Sequence, residues 1–357
     1  MMYRPAKAYI HLPALRHNLQ VVKTLAPHSK VLAVLKANGY GHGVTRVAHQ
    51  FSAADGFGVA SIDEAIVLRQ KGFLHRILLL EGLFSSAEIP LLHQHRLDLV
   101  VHAWHQVEWL LDSPHQSSLN VWIKIDTGMH RLGFDPEVLP QVIERLQSSG
   151  KAFQLHLMSH FASADESDTF TRQQFDCFNN ATQDFDFPRS IANSAGLQNY
   201  PVSHYEWVRP GIMLYGAGGC ELCEPALQPV MKLVSEITAL KWVKQGGYVG
   251  YGNTWQAQRD TFVGIVAIGY GDGYPRHAPT GTPVLIRGQR MSLIGRVSMD
   301  MICVDLTDCA DEVKIGDEAI LWGVAELSVD EIARYAGTIG YELLCGVTQR
   351  VPMIEVQ

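Results

Sequence analysis

The run Val31-Leu32-Ala33-Val34-Leu35-Lys36-Ala37-Asn38-Gly39-Tyr40-Gly41-His42-Gly43 joins an apolar, β-favouring segment to a glycine-rich loop through one ammonium group. Two readings of Lys36 compete. A lysine that ends a strand often carries its charge out to water along its own aliphatic stem. A lysine held partly desolvated at a strand mouth instead loses its proton readily and can form a Schiff base with a carbonyl compound. The glycines that follow lack the Gly-x-Gly-x-x-Gly spacing of a dinucleotide-binding turn, which weighs against an open doubly wound sheet.

Outward from this run, short apolar segments alternate with helical patterns up to about residue 218. Candidate strands lie near residues 30–36, 56–61, 76–81, 97–102, 119–126, 153–160, 189–194 and 206–215. Between them, Ser61 and Glu64 have capping-box spacing, with Ile62, Ala65, Ile66 and Arg69 at helical intervals, and Val107, Leu110 and Leu111 repeat the pattern. Eight strands with intervening helices predict an α/β fold whose N-terminal part is a (β/α)8 TIM-like barrel. A Gly-, Cys- and Pro-rich stretch over 216–229 marks a boundary, giving domains 1–218 and 219–357. Beyond it, Val263–Ile268, Pro283–Arg287, Met291–Ile294, Met301–Leu306 and Ala319–Trp322 read as strands. Gly288-Gln289 reads as a hairpin turn and Val329–Tyr335 as a helix, so the second domain is expected to be mostly β.

With 47% hydrophobic and 18% charged residues in 357, the chain has the composition of a soluble globular protein able to bury a large core. Its net charge of -7, with basic residues scattered, gives no footprint for nucleic acid or a membrane face and favours a small-molecule substrate. No apolar signal core follows Met1, and no apolar run approaches membrane-spanning length, so a cytoplasmic location is expected. The cysteines at 177, 220, 223, 303, 309 and 345 are dispersed, which points to reduced thiols. Cys220 and Cys223 have metal-ligand spacing, but no second pair follows at a matching interval. They are read as a linker feature, with no metal expected.

In a barrel of this kind, reactive groups collect at the carboxyl ends of the strands. Lys36 ends the first strand; the fifth runs through Lys124 and Asp126 toward Thr127-Gly128-Met129-His130-Arg131. The sixth ends at His160, the seventh at Asn193-Ser194, and the last carries Arg209 with Gly211-Ile212 behind it. Any one of these residues is accounted for by a structural polar cap. The glycines near Tyr40 and at 211 would let backbone N–H groups approach an anion, with the Ser194 and Tyr40 hydroxyls as further donors.

The stretch Ala33–Gly43 resembles the cofactor-lysine motif of bacterial alanine racemases, which are pyridoxal phosphate-dependent. The resemblance continues through Lys124-Ile-Asp-Thr-Gly-Met-His-Arg131-Leu-Gly, Ser159-His160-Phe-Ala, Ala192-Asn193-Ser194 and Val208-Arg209-Pro-Gly211-Ile212. It resumes in Val249-Gly-Tyr251-Gly, Ile268-Gly-Tyr270-Gly-Asp-Gly-Tyr274, Gly295-Arg-Val-Ser-Met299-Asp300 and Tyr341-Glu-Leu, so it spans nearly the whole chain in order.

This resemblance implies a barrel followed by a β domain, assembled as a head-to-tail homodimer with shared active sites. Lys36 would hold pyridoxal phosphate, and Tyr251 would reach the same site from the partner subunit. Racemisation is easiest with two bases on opposite faces of a planar carbanion, and Lys36 and Tyr251 fill those roles. A tyrosine acting as a base near neutrality needs a network favouring its phenolate, which the resemblance supplies in His160 and Arg209. Arg209 would face the cofactor's ring nitrogen. Tyr40, Ser194, Gly211, Ile212 and Tyr341 would hold its phosphate. Arg131 and the backbone N–H of Met299 would bind the substrate carboxylate, and Lys124 corresponds to a lysine often carbamylated in the family. Tyr270 and Tyr274 would line the entrance, supported by Asp300. Ser190 and Ser298 depart from some members, which have histidine and cysteine at those places.

The expected activity is therefore interconversion of L- and D-alanine, supplying D-alanine for peptidoglycan or serving alanine catabolism. A broader amino-acid racemase and a decarboxylase on the same scaffold compete with it; the Tyr251 motif argues against the decarboxylase. A noncatalytic pyridoxal phosphate-binding protein is a third reading, which the second domain argues against. A structural barrel without cofactor would be colourless and untouched by borohydride.

Overall fold

The computed structural model describes residues 4–114, 117–218 and 226–357, so Cys220 and Cys223 lie outside the described residues. Among the described residues, eighteen strands occur in chain order. The first nine are β1 (Lys7–His11), β2 (Lys30–Val34), β3 (Gly56–Val59), β4 (Arg76–Leu79), β5 (Asp98–Val101), β6 (Leu119–Lys124), β7 (Phe153–Met158), β8 (Arg189–Ser190) and β9 (Trp207–Val208). The rest are β10 (Met231–Val243), β11 (Tyr248–Val249), β12 (Trp255–Gln256), β13 (Thr261–Val266), β14 (Pro283–Ile286), β15 (Gln289–Ile294), β16 (Ile302–Asp305), β17 (Glu318–Trp322) and β18 (Met353–Val356).

The eight expected barrel strands are all present, as β2 to β9 in one parallel sheet of order β8-β7-β6-β5-β4-β3-β2-β9. They form because their residues are buried on both faces, as a helix-covered parallel sheet requires. The two end strands are two residues long, and side chains and single backbone bonds complete the ring between them. The Arg209 N–H donates to the Ala192 carbonyl at 2.9 Å, and the Ser190 hydroxyl donates to the Trp207 carbonyl at 2.7 Å. Inside, Leu32, Leu78, Val100, Trp122, Met158 and Trp207 pack as one apolar cluster. Outside, the helix Leu12–Leu25 buries Leu15, Leu19 and Val22.

The second sheet has the order β13-β16-β15-β14-β17-β10-β1-β18, and β13 pairs again with β10 to close it. The β14–β15 hairpin turns on Arg287-Gly288, one residue earlier than the expected Gly288-Gln289. Both turn residues have positive φ, 52° and 76°, as the tight hairpin turn that follows strand twist requires. Strand β1 precedes the barrel in sequence but pairs antiparallel with β10 and parallel with β18. The start of the chain is thus stitched into the second sheet, across the boundary that composition drew at residue 218. Among the described residues, no helix is long and apolar enough to cross a membrane.

Candidate active site

Strand β2 stops at Val34, and Lys36 opens a left-handed turn rather than a plain glycine loop. Ala37, Asn38, Gly39 and Tyr40 have φ of 53°, 54°, 64° and 51°. For residues other than glycine this region costs about 1–2 kcal/mol each, so the turn must be held from outside. The Ala37 N–H donates to Glu64 Oε1 at 2.8 Å, and the Val44 N–H to Asn38 Oδ1 at 2.9 Å. The Gly39 N–H returns to the Leu35 carbonyl at 2.8 Å. Glu64 was expected to form a capping box with Ser61, but the Ser61 side chain caps nothing. The other Glu64 oxygen takes the Ala60 N–H at 2.8 Å, so the carboxylate bridges its own helix entry to the Lys36 turn.

Lys36 lines a cavity of about 550 Å³ at the carboxyl ends of the barrel strands. Tyr40, Lys124, Arg131 and His160 share it, as do Ser194, Arg209, Gly211 and Tyr341. Of the cofactor residues expected in it, Ile212 alone is missing: its side chain is 1% exposed and packs behind the cavity. Glu81 and Cys345 also line it, and nothing in the sequence reading marked them. Cys345 lies on the helix Gly340–Gly346 with Tyr341, and that helix is too short to show a periodic pattern.

Among the described residues lining it, four cationic side chains converge against the one carboxylate of Glu81. Arg209 is 4% exposed, and its guanidinium donates to the Ser190 hydroxyl, to the Ser159 carbonyl and, at 3.3 Å, to His160 Nδ1. Burial lowers its pKa to about 10. Burial first, then the charges of Arg209, Lys124, Arg131 and Lys36, hold His160 well below the usual imidazole range, so it stays neutral and accepts from Arg209. Behind it, the Thr127 and Ser159 hydroxyls lie 2.8 Å apart, and the buried Gln174 donates to the His160 carbonyl at 3.2 Å. Burial first, then Arg209, Arg131 and Lys36, pull the Lys124 ammonium down to about 8.

A model of the alanine racemase N-terminal domain matches residues 10–218, and one of the alanine racemase C-terminal domain matches 230–355. The chain belongs to the alanine racemase family. The alanine racemase of Vibrio cholerae is 49% identical over 356 residues, covering 98% of each chain. The crystal structure of the biosynthetic alanine racemase of Pseudomonas aeruginosa superposes with a TM-score of 0.95 at 48% identity, over 99% of this chain and 100% of that one. The structure of the alanine racemase of Acinetobacter baumannii gives 0.92 at 41% identity, over 99% of this chain and 100% of that one.

In this member of the alanine racemase family, the remaining expected residues stand apart from the cavity. Tyr251 is 71% exposed on the turn Tyr251–Asn253, and Met299, Tyr270 and Asp300 lie on the surface of the second sheet. Tyr274, expected at the entrance, is instead 1% exposed. It stacks on Trp322 with ring centroids 6.2 Å apart, inside the second sheet's core, where it cannot line an opening.

The depressed Lys124 gives a stability prediction. The unfolded chain binds more protons than the folded one between about pH 8 and the ordinary lysine value, so folding stability contributed by this group rises with pH across that window. At pH 7 the unmodified ammonium costs about 3 kcal/mol. Lys124→Met is therefore expected to raise the thermal midpoint of the apoprotein at pH 7 and to flatten its rise between pH 8 and 10. A lower midpoint for the variant at pH 7 would overturn that cost; a carbamate on Lys124, which replaces the cation by an anion, is one state that gives this result.

Proposed function

We propose that this chain interconverts L- and D-alanine with pyridoxal phosphate, in a homodimer whose active sites are shared. The observation that carries the reading is the separation of its two candidate bases. Lys36 lines a cationic cavity, whereas Tyr251 is exposed and absent from that cavity, which supports a Tyr251 that serves a second copy.

The residues present fit an anionic cofactor. Tyr40 is 6% exposed, and its hydroxyl lines the cavity with no hydrogen-bond partner among the described residues. A Cβ at Gly211 would stand 2.4 Å from that hydroxyl, so only glycine leaves the space open. Lys36 would hold the cofactor covalently. Tyr40, Ser194, Gly211, Tyr341 and the backbone of Ile212 would surround its phosphate, and Arg209 would face its ring nitrogen. When bound, pyridoxal phosphate supplies an electron sink that acidifies the substrate's α-C–H.

The chain's own groups do the rest. Lys36 Nζ takes or returns the α-proton on one face, and the Tyr251 hydroxyl of a second copy acts on the other. Arg209, fixed by Ser190, Ser159 and His160, presents a guanidinium that holds its protons and so would leave the cofactor's ring nitrogen unprotonated. Neutral His160 orients Arg209 without adding another charge. Arg131, whose side chain has no ion-pair partner among the described residues, and the Met299 N–H of a second copy bind the carboxylate. The product, D-alanine, would supply peptidoglycan synthesis in the cytoplasm, and run in reverse the same site would serve alanine catabolism; the relative from Pseudomonas aeruginosa is named a biosynthetic alanine racemase, which supports the first direction.

Incubating the pure protein with pyridoxal phosphate and L-alanine in deuterated water is expected to yield D-alanine bearing α-deuterium. Absence of D-alanine would overturn the reading. Comparable turnover of larger amino acids would favour the broader racemase.

A further inference from the structure

We infer that Arg4, Asp272 and Arg350 form a positioning clamp that fixes the lip bearing Tyr270 and Met299, and that this lip sets alanine affinity in the site of a second copy. The inference rests on the racemase reading and assigns residues that it leaves without a role.

The lip consists of two segments, 269–272 and 298–301, laid side by side. The Tyr270 N–H donates to the Ser298 carbonyl at 3.0 Å and the Gly271 N–H to the Met299 carbonyl at 2.8 Å. The approach is too close for side chains: a Cβ at Gly269 would lie 2.2 Å from the Ser298 oxygen, and one at Gly271 would lie 2.3 Å from Arg350 Nη1. Under the lip, Asp272 is wholly buried and ionically bridged on two sides. Arg4 reaches it through Nη2 at 2.6 Å and Nε at 3.1 Å, and Arg350 through Nε at 3.3 Å. The Gly269 N–H completes its shell at 3.0 Å.

Each arginine then continues to the residue after Met299. Arg4 Nη2 donates to the Asp300 carbonyl at 2.8 Å, and Arg350 Nη2 donates to Asp300 Oδ1 at 2.5 Å. One residue near each end of the chain thus grips the same two-residue edge. Thr348 adds a bond from its hydroxyl to the Gly271 carbonyl at 2.9 Å.

Stability alone gives little reason for this construction, because a buried ionic cluster is commonly no better for folding than apolar packing of the same volume. Its effect is geometric. Met299 is 52% exposed and Tyr270 38% exposed, so the clamp holds side chains that bury little against their own subunit. A backbone N–H that is to meet a carboxylate across a subunit boundary must be fixed beforehand, or binding has to supply the ordering.

The test measures alanine kinetics in both directions for the holoenzyme and its variants. Arg350→Ala is expected to raise KM for alanine about tenfold with kcat changed no more than about twofold, the pattern of lost uniform binding. Cofactor absorbance and dimer mass should stay as in the parent, and Arg350→Lys should recover part of the KM. Arg4→Ala removes one arm only and carries the same prediction if Arg350→Ala fails to fold.

Mixing the variant with Lys36→Ala subunits then separates the two possible geometries. A hybrid dimer pairs an intact Lys36 cavity with an intact lip from the other subunit, so a parental-KM component should reappear. An unchanged KM in both arginine variants, or hybrids without that component, would overturn the clamp. Failure of the racemase reading shows separately, as a parent protein that makes no D-alanine.

Discussion

Tyr251→Phe is expected to lower racemisation about 10²–10⁴-fold in both directions, the range for losing a positioned general acid–base group. The side chain is displayed rather than packed. Gly250, with φ of 81°, turns the chain out of the β11–β12 hairpin, and that hairpin is pinned by the pairs Tyr248–Gln256 and Val249–Trp255. Beneath it, Val249 packs with Val263 and Ile294. The turn is therefore anchored, while the ring it presents is mostly in water in a single chain. Tyr248, on the same hairpin, is also exposed, at 55%.

Phenylalanine keeps the apolar ring and removes only the hydroxyl, so dimer mass and cofactor absorbance should be retained. Racemisation needs both faces, but α-proton exchange needs one. With Lys36 intact, solvent exchange should persist into the one enantiomer whose α-proton Lys36 takes, and exchange into the other should fall with the racemisation rate. Nuclear magnetic resonance of both enantiomers in deuterated water checks this. Undiminished exchange from both would remove Tyr251 from the mechanism.

The barrel was legible because its strands are buried on both faces, so that runs such as Leu32–Leu35 and Ile77–Leu79 are apolar without interruption. β1 was not, because it is five residues long and its meaning lies in partners more than 200 residues away, at Met231–Val234 and Met353–Val356. β10 escaped because its second half, from Thr238, lies largely at the surface and loses the alternation, while a register shift at Ile237/Ala239 breaks its period.

At the site, the strand-mouth rule and the family motifs together pointed to the residues around the cavity. They did not reveal which face each tyrosine takes. Tyr270 and Tyr274 stand four residues apart in one motif, but one lies on the lip and the other beside Trp322 in the core. Glu64 was recognised as a helix-capping carboxylate, whereas its partner at Ala37 lies in another βα unit and leaves no local signal.

Lys36→Ala is expected to abolish racemisation in both directions and to prevent borohydride from fixing pyridoxal phosphate to the protein. The loss should exceed that of Tyr251→Phe, because in the proposed mechanism one side chain would be both the attachment point and a base. The fold should survive. The left-handed turn is held by bonds to Glu64, Asn38 and Leu35, none of which uses the lysine side chain, and the cavity already has room where the stem is removed. The charge balance of the site should shift in a readable direction. Lys36 is one of the cations that depress Lys124 to about 8 and keep His160 neutral, so its loss should move both pKa values upward. A small exogenous amine such as methylamine should restore part of the α-proton exchange, since it returns a base to a cavity otherwise unchanged. Stoichiometric borohydride labelling of the variant would show that another lysine, with Lys124 the nearest candidate in the cavity, holds the cofactor.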